Sequence, residues 1–197
     1  MEFKLFDKYD TAEVKVRDVS LEPYINLDSK IMTKSYGRNV SKFAKYKSHI
    51  LERVANRIAV AGHIGKKHKI ITGRASGKYT HNMNIILRTL EIIEQKKKEN
   101  PVQILVNAIE KASPRDEITT IEYGGARYPQ AVDVAPSRRV NLAIRWIVQG
   151  AHQKSFGKKK KMSEALANEL IFASEENMES YAMGKKNESE KQADSAR

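Results

Sequence analysis

The side chains in this sequence with the clearest chemical potential are clustered lysines and arginines. The chemistry that they favour is phosphate binding. Two lysine runs, GKKHK and SFGKKKK, lie between predicted helices and contribute Lys66, Lys67, Lys69, Lys158, Lys159, Lys160 and Lys161. Arg138, Arg139 and Arg145 lie instead on or beside a predicted helix. Lysine acts as a mobile point charge, whereas guanidinium suits fixed bidentate contacts or stacking. This division favours a folded RNA over a regular duplex.

Two further basic segments, KSYGR and GRASGKYT, contribute Lys34, Arg38, Arg74 and Lys78. The second segment is superficially like a phosphate-binding loop, but only three residues separate Gly73 from Gly77. Tyr79 also stands where Ser or Thr should ligate magnesium. We therefore interpret it as a basic loop that approaches RNA phosphates, and we predict no cofactor.

Aromatic residues interleave with these cations at Tyr36, Tyr79, Tyr128 and Phe156. Their rings could stack on unpaired bases, which is typical of single-stranded RNA recognition. Ordinary packing inside the protein explains each ring equally well. Both interpretations stay open at the level of sequence.

The sequence does not show the combinations of residues that catalysis would need. The five histidines show no zinc-binding spacing, and the paired carboxylates that glycosidases or two-metal nucleases need are almost absent from the basic segments. Ser113 and Ser137 adjoin prolines at predicted helix boundaries, where capping explains them. We predict no catalytic residue, no metal site and no enzyme activity.

Charge is distributed unevenly along the 197 residues, which carry a net charge of +12 and no cysteine. Residues 30–90 hold 14 lysines and arginines against one acid, Glu52, and residues 136–161 hold eight against none. Such blocks repel themselves unless a polyanion neutralises them. Nucleic acid is therefore favoured over a merely solvated basic surface, with an anionic membrane third. Without a secretory signal or a long apolar run, we expect an intracellular, soluble protein.

Apolar residues recur at three- and four-residue spacings, which predicts five or six helices beginning near Ser48, Tyr79, Pro101, Pro136 and Ser163. The first helix should end at Gly62 and Gly65, with a glycine- and lysine-rich connector following to Lys78. Asn100 is a predicted N-cap, with Gln103 in a capping-box-like position.

A period of two between Ile118 and Val134, interrupted by Gly124 and Gly125, predicts a β-hairpin. The predicted fold is mainly α, a bundle of five to six helices with one protruding hairpin between the third and fourth core helices. Residues 1–47 are expected to be an N-terminal extension that orders partly on its partner, residues 48–183 the helical domain, and residues 184–197 a flexible polar tail.

Three segments in order, NPVQILVNAIEKASPRDE, YGGARYPQAVDVAPSRRVNLAIRWIVQGA and MSEALANELIFA, resemble small-subunit ribosomal protein seven in its archaeal and eukaryotic form. The resemblance covers roughly residues 48–181. It implies a cytoplasmic ribosomal protein that binds the 3′ major domain of small-subunit rRNA and initiates head assembly.

The resemblance also implies specific residues and partners. It places the hairpin, with Gly124, Gly125, Arg127 and Tyr128 near its tip, beside the mRNA path and the exit-site tRNA, next to the platform protein numbered eleven. The implied rRNA-facing positions are Arg115, Arg138, Arg139, Arg145, Lys66, Lys67 and Lys158 to Lys161.

The residues alone leave two alternatives to a helical RNA-binding protein. A DNA-binding protein would use a recognition helix such as residues 136–152 and would prefer a duplex. A basic RNA-modifying enzyme would need a cofactor cleft or clustered carboxylates, which the sequence does not offer.

Overall fold

Helices dominate the architecture, in the order that the hydrophobic periodicity predicts. The computed structural model describes residues 4–42, 44–60, 62–64, 69–71 and 75–197. Within these ranges the elements are α1 (Ile50–Ile58), β1 (Gly62–Ile64), β2 (Lys69–Ile71), α2 (Tyr79–Lys97), α3 (Pro101–Ala112), β3 (Asp116–Tyr123), β4 (Ala126–Asp133), α4 (Pro136–Ser155), α5 (Met162–Ser174) and α6 (Tyr181–Asp194). The predicted mainly helical fold, with a hairpin between α3 and α4, is confirmed.

Helix α5 lies at the centre of the bundle and packs against α2, α3 and α4. Leu166 and Leu170 are almost completely buried, and alanines on the other faces of α5 are buried too. A helix that is apolar on most sides is buried on most sides. None of the helices in the described ranges is both long and apolar enough to cross a membrane.

Helix α3 begins as the sequence predicts, because Asn100 Oδ1 accepts a hydrogen bond from the Val102 amide at 3.0 Å. The capping-box role of Gln103 is wrong. Its Oε1 accepts from the Lys15 amide at 2.8 Å, and its Nε2 donates to the Lys15 carbonyl at 3.0 Å. A carboxamide matches both backbone groups of an extended residue, so Gln103 anchors the N-terminal segment instead.

The N-terminal segment, residues 4–42, packs against the helices. The sequence predicts an extension that becomes ordered only in part and on its partner. Leu5 and Leu21 are fully buried, and Tyr9 and Ile25 nearly so, all within the main core. Their burial removes apolar surface from water without any RNA. The division between residues 47 and 48 stays a prediction.

Residues 184–194, expected to belong to a flexible polar tail, continue α6 in the structure. Polar contacts hold this helix: Lys186 Nζ donates to the Lys111 carbonyl at 2.9 Å, and Glu190 Oε1 accepts from the Arg115 amide at 3.0 Å. An apolar stripe is therefore not needed to dock it.

Helix α1 is shorter than predicted, and the connector after it is not simply a loop. His49 caps α1, with Nδ1 accepting from the Leu51 amide at 3.2 Å. β1 and β2 form a short antiparallel hairpin in which His63 pairs with Ile70. Lys69 lies in β2, whereas the predicted site residues Lys66, Lys67 and Arg74 lie outside the described residues.

Candidate nucleic-acid interface

A groove between α1 and α4 gathers cations from both basic blocks of the sequence. It has a volume of about 420 Å³. Its described lining includes Lys45, Arg53, Arg57, Arg138 and Arg145, and no carboxylate lies among these described residues. Arg53 and Arg57 are one helical turn apart on α1, as are Asn141 and Arg145 on α4, so each helix turns one polar face to the groove.

Arg53 forms the floor of the groove. Its residue is only 4% exposed, and its guanidinium donates to the Tyr24 carbonyl at 2.5 Å and to Asn141 Oδ1 at 3.2 Å. Its buried Nε has no hydrogen-bond partner among the described residues. Burial lowers the pKa of Arg53 to about 10. The groove is thus built around a buried cation that neutral groups hold in place.

Arg57, Lys45 and Arg145 surround that floor and repel one another. Burial, followed by the charge of Arg145, lowers the pKa of Arg57. Burial, followed by Arg53, Arg57 and Arg145, lowers the pKa of Lys45. None of the three forms an ion pair within the described part of the chain. An anion with several charges relieves this repulsion, and phosphate fits the guanidinium geometry.

Arg138 and Arg139 diverge, although they are adjacent in sequence. Arg138 lines the groove and pairs with Glu117 at the base of the β3–β4 hairpin, with 2.5 Å between Nε and Oε1. The hydrogen bond to Glu117 raises its pKa. Arg139 turns away from the groove and holds Asp18 at 2.9 Å, and its side chain is 11% exposed. It therefore fixes the N-terminal segment, and its rRNA contact stays a prediction.

Lys34, at the predicted site in KSYGR, lies over two aromatic rings. Its Nζ is 4.7 Å from the centroid of Tyr36 and 5.0 Å from that of Tyr79 at the start of α2. Glu52 is buried and accepts from the amide and hydroxyl of Ser35 at 2.9 and 2.7 Å. Glu52, the single acid of residues 30–90, therefore anchors this loop.

The other predicted cations are spread over the surface. Arg38, Lys78, Arg115, Lys158, Lys159 and Lys161 are exposed, and Lys160 is half-buried. Lys158 to Lys161 follow the exposed ring of Phe156 and line a second depression, beside His81 and His152. Arg115 lies at the foot of β3, where its amide binds Glu190. These residues do not join the α1–α4 groove.

The β3–β4 hairpin projects from the bundle. Its strands pair from Asp116 with Asp133 to Tyr123 with Ala126, so Gly124 and Gly125 form the turn. Their φ angles of +59° and +80° are those that a two-residue hairpin turn requires. Arg127 pairs with Glu122 across the strands at 3.5 Å, and Tyr128 is 58% exposed. The glycine turn is confirmed as the tip of the arm.

Sequence reasoning missed Lys45, Arg53 and Arg57, which supply the first wall and the floor of the groove. The apolar periodicity of α1 drew attention to its core face. A signal did exist, because Arg53 and Arg57 are spaced four residues apart within a block that holds a single acid. Phosphate-rich polymers are the ligands that such a groove neutralises, so the class of protein defined by this architecture is a helical nucleic-acid binder.

Comparison with known protein sequences places the chain in one family within this class. The family described as Ribosomal protein S7p/S5e matches residues 30–197. The chain is 49% identical over 198 residues to the small ribosomal subunit protein uS7 of Nanoarchaeum equitans, with 100% of both chains covered. It is 45% identical over 197 residues to that of Methanosphaera stadtmanae, again with full coverage, and 41% identical to that of Archaeoglobus fulgidus, with 100% of this chain and 96% of the relative covered. The chain belongs to the ribosomal protein S7p/S5e family.

Membership of this family confirms the resemblance carried by the three sequence segments. The chain is a ribosomal structural protein and not an enzyme. It binds RNA in the cytoplasmic ribosome and takes part in translation.

Proposed function

We propose that this chain is a structural constituent of the small ribosomal subunit that binds the 3′ major domain of its rRNA and initiates assembly of the head. The observation that carries the proposal is the α1–α4 groove, where cations outnumber carboxylates among the described lining residues. The relatives, each called a small ribosomal subunit protein, support the subunit. The family resemblance supplies the rRNA domain.

The rigidity of the groove favours folded RNA over duplex DNA. Packed helices carry Arg57 and Arg145 on either side of the buried, hydrogen-bonded Arg53, so the backbone positions of these cations are set before RNA arrives. Fixed cations match one arrangement of phosphates and reject others, which gives shape selectivity without base contacts. The loop lysines at residues 158–161 can adapt to the flanking strand.

Replacing Arg57 and Arg145 together with glutamine should weaken binding to the 3′ major domain by about tenfold or more near physiological salt. It should also reduce the slope of log affinity against log salt by about two, because about one unit is lost with each phosphate contact. Filter binding over a salt series measures both quantities. Neither residue forms an ion pair in the described structure, so we expect the fold to persist.

A matched control replaces two cations of α6, Lys185 and Lys191, with glutamine. These residues lie outside the described lining of the groove, so the net charge changes equally while the groove stays intact. We expect less than half the loss of slope. Equal losses in the two variants would mean that total charge, not the groove, governs binding.

The β3–β4 hairpin is proposed to extend beside the mRNA path and the exit-site tRNA, next to the platform protein numbered eleven. The support is its projection from the bundle and the exposure of Tyr128 at its tip. The other tip residues, Gly124, Gly125 and Arg127, are exposed as well. None of the four belongs to the hydrophobic core of the described residues.

Shortening the arm tests this role. Replacing residues 120–129 with Asn-Gly closes the hairpin on the Thr119–Gln130 pair, which is already in register. We expect rRNA affinity and thermal unfolding to be nearly unchanged, while small subunits reconstituted with the variant retain exit-site tRNA less well. Normal tRNA retention would contradict the proposed role, and so would loss of folding.

A further inference from the structure

The loop between α4 and α5 holds an aromatic ring outside the core. Phe156 follows the last residue of α4, and its residue is 68% exposed. The Lys158 amide donates to the Ser155 carbonyl at 3.2 Å, and Gly157 has a φ of +70°. With Phe156 at φ −65° and ψ 127°, these four residues form a type II turn. The turn fixes the backbone that carries the ring.

Contact with a histidine fixes the ring further. Phe156 stacks on His152, with centroids 5.4 Å apart and planes inclined by 23°. His152 is half-buried, and burial lowers its pKa. One face of the Phe156 ring is therefore supported by protein while most of the residue is open to solvent.

The ring borders an open depression of about 690 Å³. Apolar side chains, Ile58, Ile85 and Met162, supply part of its wall, and His81 and His152 supply groups able to bond to a base edge. Lys158 to Lys161 form the rim, and no acid lies among the described lining residues. An apolar wall with a purely cationic rim fits a flat heterocycle that carries a phosphate on each side.

We propose that an unpaired nucleotide of the bound RNA places its base in this depression, stacked on Phe156, with its flanking phosphates on Lys158 to Lys161. The inference rests on the proposed function, since it names the nucleotide that a second site on the same RNA would supply. A protein segment is a poorer occupant, because it would need an acidic edge to match the four lysines. Base stacking on an aromatic side chain tolerates any base, so the site selects an unpaired nucleotide by its accessibility.

Substitution of Phe156 separates stacking from charge. Phe156→Ala should weaken binding to the 3′ major domain by about tenfold and leave the salt slope unchanged, because no phosphate contact is lost. Phe156→Trp should bind like the original chain, and its added indole fluorescence should be quenched on binding. Lys159→Gln with Lys160→Gln should instead reduce the slope. Unchanged affinity for Phe156→Ala, or no added quenching for Phe156→Trp, would overturn the stacking site.

A simpler probe keeps the failure of this site distinct from failure of the proposed function. A single-stranded RNA of mixed sequence should quench the fluorescence of the Phe156→Trp chain more than its stable, fully paired GC-rich duplex does, at equal salt. Equal quenching by single strand and duplex would overturn the stacking site even if the groove variant behaves as expected. Quenching by the single strand without preference for the 3′ major domain would leave the stacking site standing and remove the ribosomal target.

Discussion

Glu169→Ala is expected to lower the free energy of unfolding by about 3 kcal/mol. The carboxylate is fully buried at the junction of α4, α5 and α6. Its Oε1 accepts from the Ser180 hydroxyl at 2.7 Å and the Ala182 amide at 3.1 Å, and its Oε2 binds Lys154 Nζ at 2.6 Å. Alanine would leave the start of α6 without these partners. Urea unfolding followed by circular dichroism measures the loss.

Helix α4 approaches this carboxylate and the start of α6 closely at Gly150. A Cβ on Gly150 of α4 would lie 2.6 Å from Tyr181 Cβ and 3.1 Å from Glu169 Oε1. Glu164→Ala, an exposed site on the same helix, is the control and should cost less than about 1 kcal/mol. If Glu169→Ala cost no more than Glu164→Ala, the buried carboxylate would not be what joins α6 to the bundle.

Stability is expected to fall as the pH is lowered from 6.5 towards 4, with a contribution of about 3 kcal/mol from His49 alone. Burial lowers the pKa of His49 from 6.5 to about 4. The unfolded chain therefore binds this proton more readily than the folded chain does. The contribution is complete above pH 6.5 and is lost as the pH falls through the folded pKa.

The structural cause is the N-cap of α1. His49 Nδ1 accepts from the Leu51 amide, which requires an unprotonated nitrogen, and the residue is 2% exposed. His49→Asn supplies a non-titrating cap. Between pH 7 and pH 4 the unfolding free energy of the original chain should fall by about 3 kcal/mol relative to that of the variant, which binds no proton at this position. Parallel curves would show that His49 does not couple α1 to pH.

Local signals explain which elements the sequence could predict. The start of α2 at Tyr79 and the Asn100 cap of α3 follow from periodicity and capping within a few residues. The hairpin turn follows from adjacent glycines, which take up positive φ without strain. Each of these features depends on residues that are close together in the sequence.

Long-range contacts explain what the sequence could not predict. The N-terminal segment is placed by pairs such as Lys15 with Gln103 and Arg17 with Glu110, which lie about ninety residues apart. Leu5 and Leu21 are too widely spaced to form a period. Helix α6 is held by polar contacts to β3 and α3, so its sequence carries no apolar stripe.

The candidate site likewise contains residues that the sequence predicts and residues that it does not. Cation-rich segments predicted that Arg138 and Arg145 contact phosphate, and both residues line the groove. The other wall could not be predicted, because only the packing of α1 against α4 brings Arg57 opposite Arg145. Arg139 shows the converse: a residue next to Arg138 points about 100° away around the helix and meets Asp18 instead.

The most direct test of the central claim is the affinity of the purified chain for the 3′ major domain of small-subunit rRNA across a salt series. Structured RNA and duplex DNA of equal length serve as the comparisons. We expect the rRNA to bind about a thousandfold more tightly than either, with the preference persisting at high salt, since non-specific binding of a basic protein lies near 10⁻⁴ to 10⁻⁶ M. Equal affinity for all three would contradict a shape-selective groove and leave net charge as the whole explanation of binding.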